Sequence, residues 1–191
     1  MEKCASIQSG MKASPWVHTK TQEGGILLRK AQELLATPIY TLSDGREIGK
    51  VHDLLFNTSG HGSPVLIGVL LEPKTLFHEG RYLPWSSVIK IGEDALFIAD
   101  PLQIKDALFP EPPRFLKGEP SVLKKTVLTT HGNHLGEVED VYIDLGTGKL
   151  VGYEIGAGVV RDMMEGRLFI DAQSQHVLND ETLIVALAQE P

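Results

Sequence analysis

Two histidines and two aspartates are the residues whose type and spacing most invite chemistry. His131 and His134 stand three apart around Gly132, as two imidazoles that share a metal ion can. A structural metal needs about four ligands in a tetrahedral array. The one cysteine, Cys4, lies far away in sequence, and His18, His52, His61, His78 and His176 are scattered over turns and polar stretches. The pair therefore reads first as exposed turn residues, and neither a metal nor a cofactor is expected. Asp53 and Asp140 are the other pair. Carboxylates that meet in space can divide acid and base roles between them. These two, however, occupy the same place in two copies of one motif, so each should do the same local work. The expected work is structural, with each carboxylate accepting backbone N–H groups at a turn or bulge.

Other constellations are weaker. Gly152, Gly156 and Gly158 do not join a strand to a helix, so the context of a phosphate-binding loop is missing. No Gly-x-Ser-x-Gly nucleophile motif occurs. Tyr82 and Trp85 are candidate interface anchors, because such aromatics concentrate binding energy; the preferred reading is that Trp85 plugs the barrel end, since a small barrel with few aromatics needs bulk inside. Met163 and Met164, beside Arg161 and Asp162, fall in a loop between strands and serve either a partner contact or local packing.

The elements that must position these groups come in two copies. Residues 37–57 lie over residues 124–144 at an offset of 87 without a gap. Gly45 falls on Gly132, Gly49 on Gly136, Val51 on Val138 and Asp53 on Asp140. Val65–Leu71 answers Leu150–Ile155, Gly80–Leu83 answers Gly166–Phe169, and Asp94–Ile98 answers Glu181–Val185. Each copy reads as short strands between turns. Gly45 and Gly132 suit tight hairpins that need positive φ, and Gly49 and Gly136 suit bulges inside the following strand. Leu83-Pro84-Trp85-Ser86-Ser87-Val88 reads as a helical turn opened by proline, whereas the second copy offers Phe169-Ile170-Asp171-Ala172 instead. Ile26–Ala36 is the best helix candidate and fits equally a strand followed by one helical turn.

The expected fold is all-β: two tandem small antiparallel barrels with short helical turns, each closed mostly by its own strands. Residues 1–25 read as a flexible N-terminal segment, 26–100 as the first barrel-like domain, 101–120 as a proline-rich linker and 121–187 as the second domain.

Composition bounds the function. At 191 residues the chain is long enough to bury a substantial core. A single cysteine cannot form an internal disulfide, which fits a reducing compartment, and the cytoplasm is the expected location. No apolar run approaches the ~20 residues of a membrane helix. The net charge of −7 is concentrated in residues 101–191, which hold 8 basic and 14 acidic side chains. That sign repels phosphate at long range and attracts a basic partner.

The residues Asp44-Gly45-x-x-Ile48-Gly49-x-Val51-x-Asp53, then Val65–Leu71 and Tyr82-Leu83-Pro84-Trp85-x-x-Val88, resemble the PRC-barrel family. Gly132-x-x-Leu135-Gly136-x-Val138-x-Asp140 repeats the leading motif. The layout is similar to bacterial tandem PRC-barrel proteins. Family members include the cytoplasmic domain of the photosynthetic reaction-centre H subunit and the C-terminal domain of a ribosome-maturation factor. The resemblance implies a non-catalytic protein-interaction or adaptor module, with RNA or ribosome metabolism as the setting by analogy. It implies a protein partner, basic in character, rather than bare nucleic acid, and is compatible with homo-oligomers. The alternative is a small-ligand or metal-binding protein, or an enzyme of unrecognised type.

Overall fold

The computed structural model describes residues 27–58, 63–76, 80–156 and 166–187. Met163 and Met164, together with Cys4, His18, His61 and His78, lie outside the described residues. Among those described the chain is all-β, with 3-10 turns and no α-helix.

Copy 1 runs through β1 (Leu28–Lys30), a 3-10 turn (Ala31–Leu34), β2 (Pro38–Thr41), β3 (Glu47–Lys50), β4 (Asp53–Asn57), β5 (Val65–Glu72), β6 (Arg81–Pro84), a second 3-10 turn (Trp85–Ser87), β7 (Val88–Ile91) and β8 (Leu96–Ile98). After a 3-10 turn at Pro101–Gln103 come β9 (Lys105–Asp106) and β10 (Arg114–Phe115). Copy 2 follows with β11 (Thr126–Thr129), β12 (His134–Asp144), β13 (Lys149–Gly156), β14 (Leu168–Asp171), a 3-10 turn (Ala172–Ser174), β15 (Gln175–Leu178) and β16 (Thr182–Val185). Both copies make the helical turn. Proline opens it in copy 1, and in copy 2 the Asp171 carboxylate takes the Gln173 N–H at 2.7 Å.

Each copy is two short ladders that share one long strand. In copy 2 that strand is the unbroken β12, so β13 and β14 on one side and β11, β16 and β15 on the other belong to one sheet. In copy 1 the chain leaves the strand at Val51 and His52. The equivalent pieces, β3 and β4, therefore fall in different sheets, one of them the four-stranded β3-β2-β8-β7.

The expectation of two separately closed barrels is corrected here. Among the described residues, β6 does not pair with β7, nor β14 with β15; the 3-10 turns carry the chain from one ladder to the other instead. Nor does each copy use only its own strands. β1, which leads into copy 1, pairs antiparallel with β12 of copy 2 (Arg29 opposite Ile143, Lys30 opposite Tyr142). β10, which leads into copy 2, pairs with β4 of copy 1 (Arg114 opposite Phe56, Phe115 opposite Leu55). The exchange is reciprocal and nearly symmetric. A third link pairs Lys149 with Val65, flanked by Leu66 N–H to the Gly148 carbonyl at 2.7 Å and Leu150 N–H to the Pro64 carbonyl at 2.9 Å. Copy-1 residues such as Leu54 and Phe56 share one continuous core with Leu116, Val141 and Tyr153.

The ungapped offset also needs one correction. Ile39 pairs with Gly49, but Val127, not Thr126, pairs with Gly136. The first hairpin is one residue longer: Gly45 N–H reaches the carbonyl of Thr41, four residues back, whereas Gly132 N–H reaches Thr129, three back. Gly45 and Gly132 sit at φ +68° and +88°.

Gly49 and Gly136 share a left-handed φ, +152° and +138°, but differ in surroundings. A Cβ on Gly49 meets only the Leu71 side chain at 3.9 Å. On Gly136 it falls 2.1 Å from the Gly156 carbonyl oxygen of β13, which is backbone and cannot swing aside. Gly136→Ala is expected to cost about 2 kcal/mol and Gly49→Ala clearly less. Urea unfolding of the two variants checks this; equal losses would show that φ alone sets the cost.

Candidate functional site

The side chains that could do chemistry gather where the two copies meet. Asp53 opens β4 and is buried. Its carboxylate accepts the N–H of Leu54 at 2.7 Å and, from the segment that leads into copy 2, those of Lys117 at 3.2 Å and Gly118 at 2.7 Å. Space at position 118 is tight, since a Cβ there would lie 3.2 Å from Asp53 Oδ2. Asp140 is the counterpart, also buried: it accepts the N–H of Val141 at 2.8 Å and of Gln32, after β1, at 3.2 Å. Each aspartate therefore holds the entry segment of the other copy.

Two arginines reinforce the exchange. Arg29 on β1 returns to copy 1, where Nη1 and Nη2 donate to the carbonyls of Gly92 and Glu93 at 3.4 and 3.2 Å. Arg114 holds the matching register position on β10, and its Nη2 reaches Asp180 Oδ1 at 2.9 Å, in the equivalent turn of copy 2. Each entry strand is thereby tied to both copies at once.

Copy 2 adds a buried charge cluster. Glu154 faces Asp140 directly across the β12–β13 ladder, and its side chain is only 6% exposed. It accepts the Tyr142 hydroxyl at 2.9 Å, pairs with Lys30 Nζ of β1 at 2.5 Å and pairs with Arg167. The Lys30 ammonium also lies 5.6 Å from the centre of the Tyr142 ring, and Phe169 meets that ring edge-on at 5.5 Å. Burial works against the Glu154 charge, but hydrogen bonds from Lys30, Arg167 and Tyr142 outweigh it and hold the carboxyl below its ordinary value. For Asp140 burial prevails over the bonds from Val141 and Gln32, the nearby Glu154 adds to it, and the carboxyl is raised. Burial likewise opposes the Lys30 charge, and the Glu154 carboxylate more than restores it.

In copy 1 the same positions are Phe115, Leu55, Leu70 and Tyr82, by the registers of β10–β4, β4–β5 and β5–β6. An apolar cluster in one copy is an ionic one in the other. The signal for it in the sequence is one charge, Glu154, inside the apolar run Leu150–Ile155; its partner Lys30 is more than a hundred residues away and had no visible link to it.

Trp85 is half-buried at the third link. Its Nε1–H donates to the Leu145 carbonyl at 3.2 Å, and the β12–β13 turn comes so close that a Cβ on Gly148 would lie 3.4 Å from the ring. The aromatic thus joins copy 1 to copy 2. Tyr82 packs on Phe109 with ring centres 4.8 Å apart. His131 and His134 are both exposed, at the hairpin turn and at the start of β12. Among the described residues no three His, Cys, Asp or Glu side chains converge as metal ligands, and no helix is long and apolar enough to cross a membrane.

The model of the PRC-barrel domain matches residues 28–102 and 120–187, which are the two copies. The chain belongs to the PRC-barrel family. The protein YrrD of Bacillus subtilis (strain 168), described as uncharacterized, is 26% identical over 136 residues, which cover 71% of this chain and 74% of that one. The tandem arrangement of PRC units places the first match from β1 onward and the second from just before β11, so the exchanged strand β1 lies inside the first match while β10 falls between the two.

Proposed function

We propose that this tandem PRC protein is a non-catalytic protein-interaction module, a cytoplasmic adaptor whose partner is a basic protein. The observation that carries this reading is the engagement of its buried carboxylates. Asp53, Asp140 and Glu154 are all occupied by the chain's own N–H groups, phenol and cations, and each of them ties one copy to the entry segment of the other. Acceptor oxygens already taken up by the chain's own donors leave these carboxylates little capacity for a substrate proton. The fold ends in sheet edges, β7 in the smaller sheet and β15 in the larger, with Ile89 and Val177 partly exposed on them. Such edges suit the addition of an extended segment from a partner. The excess of acidic side chains in residues 101–191 favours a basic one and disfavours phosphate backbones.

The full chain is to be titrated against RNA and DNA of mixed sequence at ~0.15 M salt, and in parallel against nuclease-treated lysate. Weak nucleic-acid binding, with retention of a basic protein that salt releases, is the expected result. Tight and salt-sensitive binding to either nucleic acid defeats the proposal.

A further inference from the structure

The two copies differ most sharply at their entry-strand arginines. Arg29 has a partner at each of its three guanidinium nitrogens: besides the two carbonyls, its Nε faces Glu33 at 3.4 Å. Arg114, in the matching position, has Gly118 where Glu33 stands, by the common register of the entry strands. Its side chain is 13% exposed, and Nε and Nη1 are buried without an acceptor among the described residues. Its one ionic partner among the described residues, Asp180, is 79% exposed on the β15–β16 turn.

A second cation enters the same corner. Lys125, 4% exposed, holds the position that Thr37 holds in copy 1, since Val51 N–H bonds to the Thr37 carbonyl and Val138 N–H to that of Lys125. Its ammonium donates to the Asp180 backbone carbonyl. Two mostly buried cations therefore converge on Asp180, Arg114 on its carboxylate and Lys125 on its backbone carbonyl, and that carboxylate is mostly in water, where screening weakens it as a counter-charge. Two guanidinium nitrogens of Arg114 thus stay without an acceptor among the described residues, in a chain whose net charge is −7.

We propose that Arg114 and Lys125 form a binding site for a dianionic oxyanion of the phosphate type, which takes the place of the Asp180 carboxylate. A dianion balances the two cations where a single carboxylate does not. A tetrahedral oxyanion also presents enough acceptors to serve several guanidinium donors at once. Asp180 is then the built-in competitor for the site. This goes beyond the adaptor reading and does not depend on it.

The probe is inorganic phosphate, added to the full chain at constant ionic strength and followed by calorimetric titration and by thermal unfolding. Phosphate stabilises folded chains generally by exclusion from their surface, so only the part that differs between variants counts. Asp180→Asn removes the competing charge and is expected to tighten phosphate binding roughly tenfold, the effect of one charged hydrogen-bond partner. Arg114→Gln in the Asp180→Asn background is expected to abolish saturable binding. Should that variant unfold, Lys125→Met in the same background is expected to weaken binding severalfold. Absence of saturable binding in Asp180→Asn overturns the proposal, and so does binding that survives both the Arg114 and Lys125 changes.

Discussion

Glu154→Leu is expected to cost about 3 kcal/mol, near the lower end for breaking a buried ion pair, because Lys30 and Arg167 keep part of their hydration. The loss is not that of a contact alone. It strands the Lys30 ammonium and the Tyr142 hydroxyl in a place built for a carboxylate. Copy 1 supplies the remedy, since Phe115, Leu55 and Leu70 fill the equivalent positions. The triple variant Lys30→Phe, Tyr142→Leu, Glu154→Leu is expected to regain most of the stability that the single change loses, because an apolar cluster of matching volume replaces an ion pair at little net cost. Urea unfolding of the single and triple variants measures both numbers. If the triple variant is no more stable than the single, the two copies are not interchangeable at this position.

The same cluster gives a pH signature. In the folded chain Glu154 stays ionised further into acid than its ordinary value of 4.5. The unfolded chain therefore takes up more protons in that range, and the stabilisation, complete above the ordinary value, is lost as pH falls through the folded one. Asp140 works in the opposite sense. Its carboxyl is raised above 3.8, so its contribution is greatest in acid and declines as pH rises through the window above that value. Glu154→Leu is expected to remove the first trend and, by taking away a charge that helps to raise the Asp140 carboxyl, to weaken the second, so that its stability falls less steeply in acid than that of the parent chain.

Asp53→Ala is expected to be more damaging, at about 4–5 kcal/mol. It leaves the amides of Leu54, Lys117 and Gly118 without their acceptor, each lost charged bond being worth ~1.5 kcal/mol or more. Asp140→Ala removes two such bonds, at Val141 and Gln32, and is expected to cost less. The location of the damage is the sharper test. Hydrogen exchange at Lys117 and Gly118, in the entry to copy 2, should accelerate although the mutation lies in copy 1, and Asp53→Asn, which keeps one acceptor oxygen, should restore part of the protection. Unchanged exchange at these two amides would mean that the entry segment is held by other contacts.

Strand content, the repeat and the turn glycines were legible in the amino-acid order alone. These are local properties: alternation and apolar runs fix strands, and a glycine at Gly45 or Gly136 answers to its own φ and nearest neighbours. That order also placed Asp53 and Asp140 at one recurrent position, because repetition is visible without coordinates. The tertiary structure alone decided which backbone those carboxylates hold. The long-range donors to Asp53 lie 64 and 65 residues away, and the long-range donor to Asp140 lies 108 away. Nothing in a short polar segment states which sheet edge its amides will reach. The same holds for closure. Short strands that turn every few residues are compatible with a barrel closed on itself or with edges filled from the neighbouring copy, and the local pattern is identical in both. The choice falls to the unpaired edges of β4 and β12, which are satisfied by β10 and β1 because each entry strand arrives beside the other copy's sheet. Burying those edges in reciprocal pairs also brings Lys30 onto Glu154, an ion pair whose two halves carry no sign of each other in the sequence.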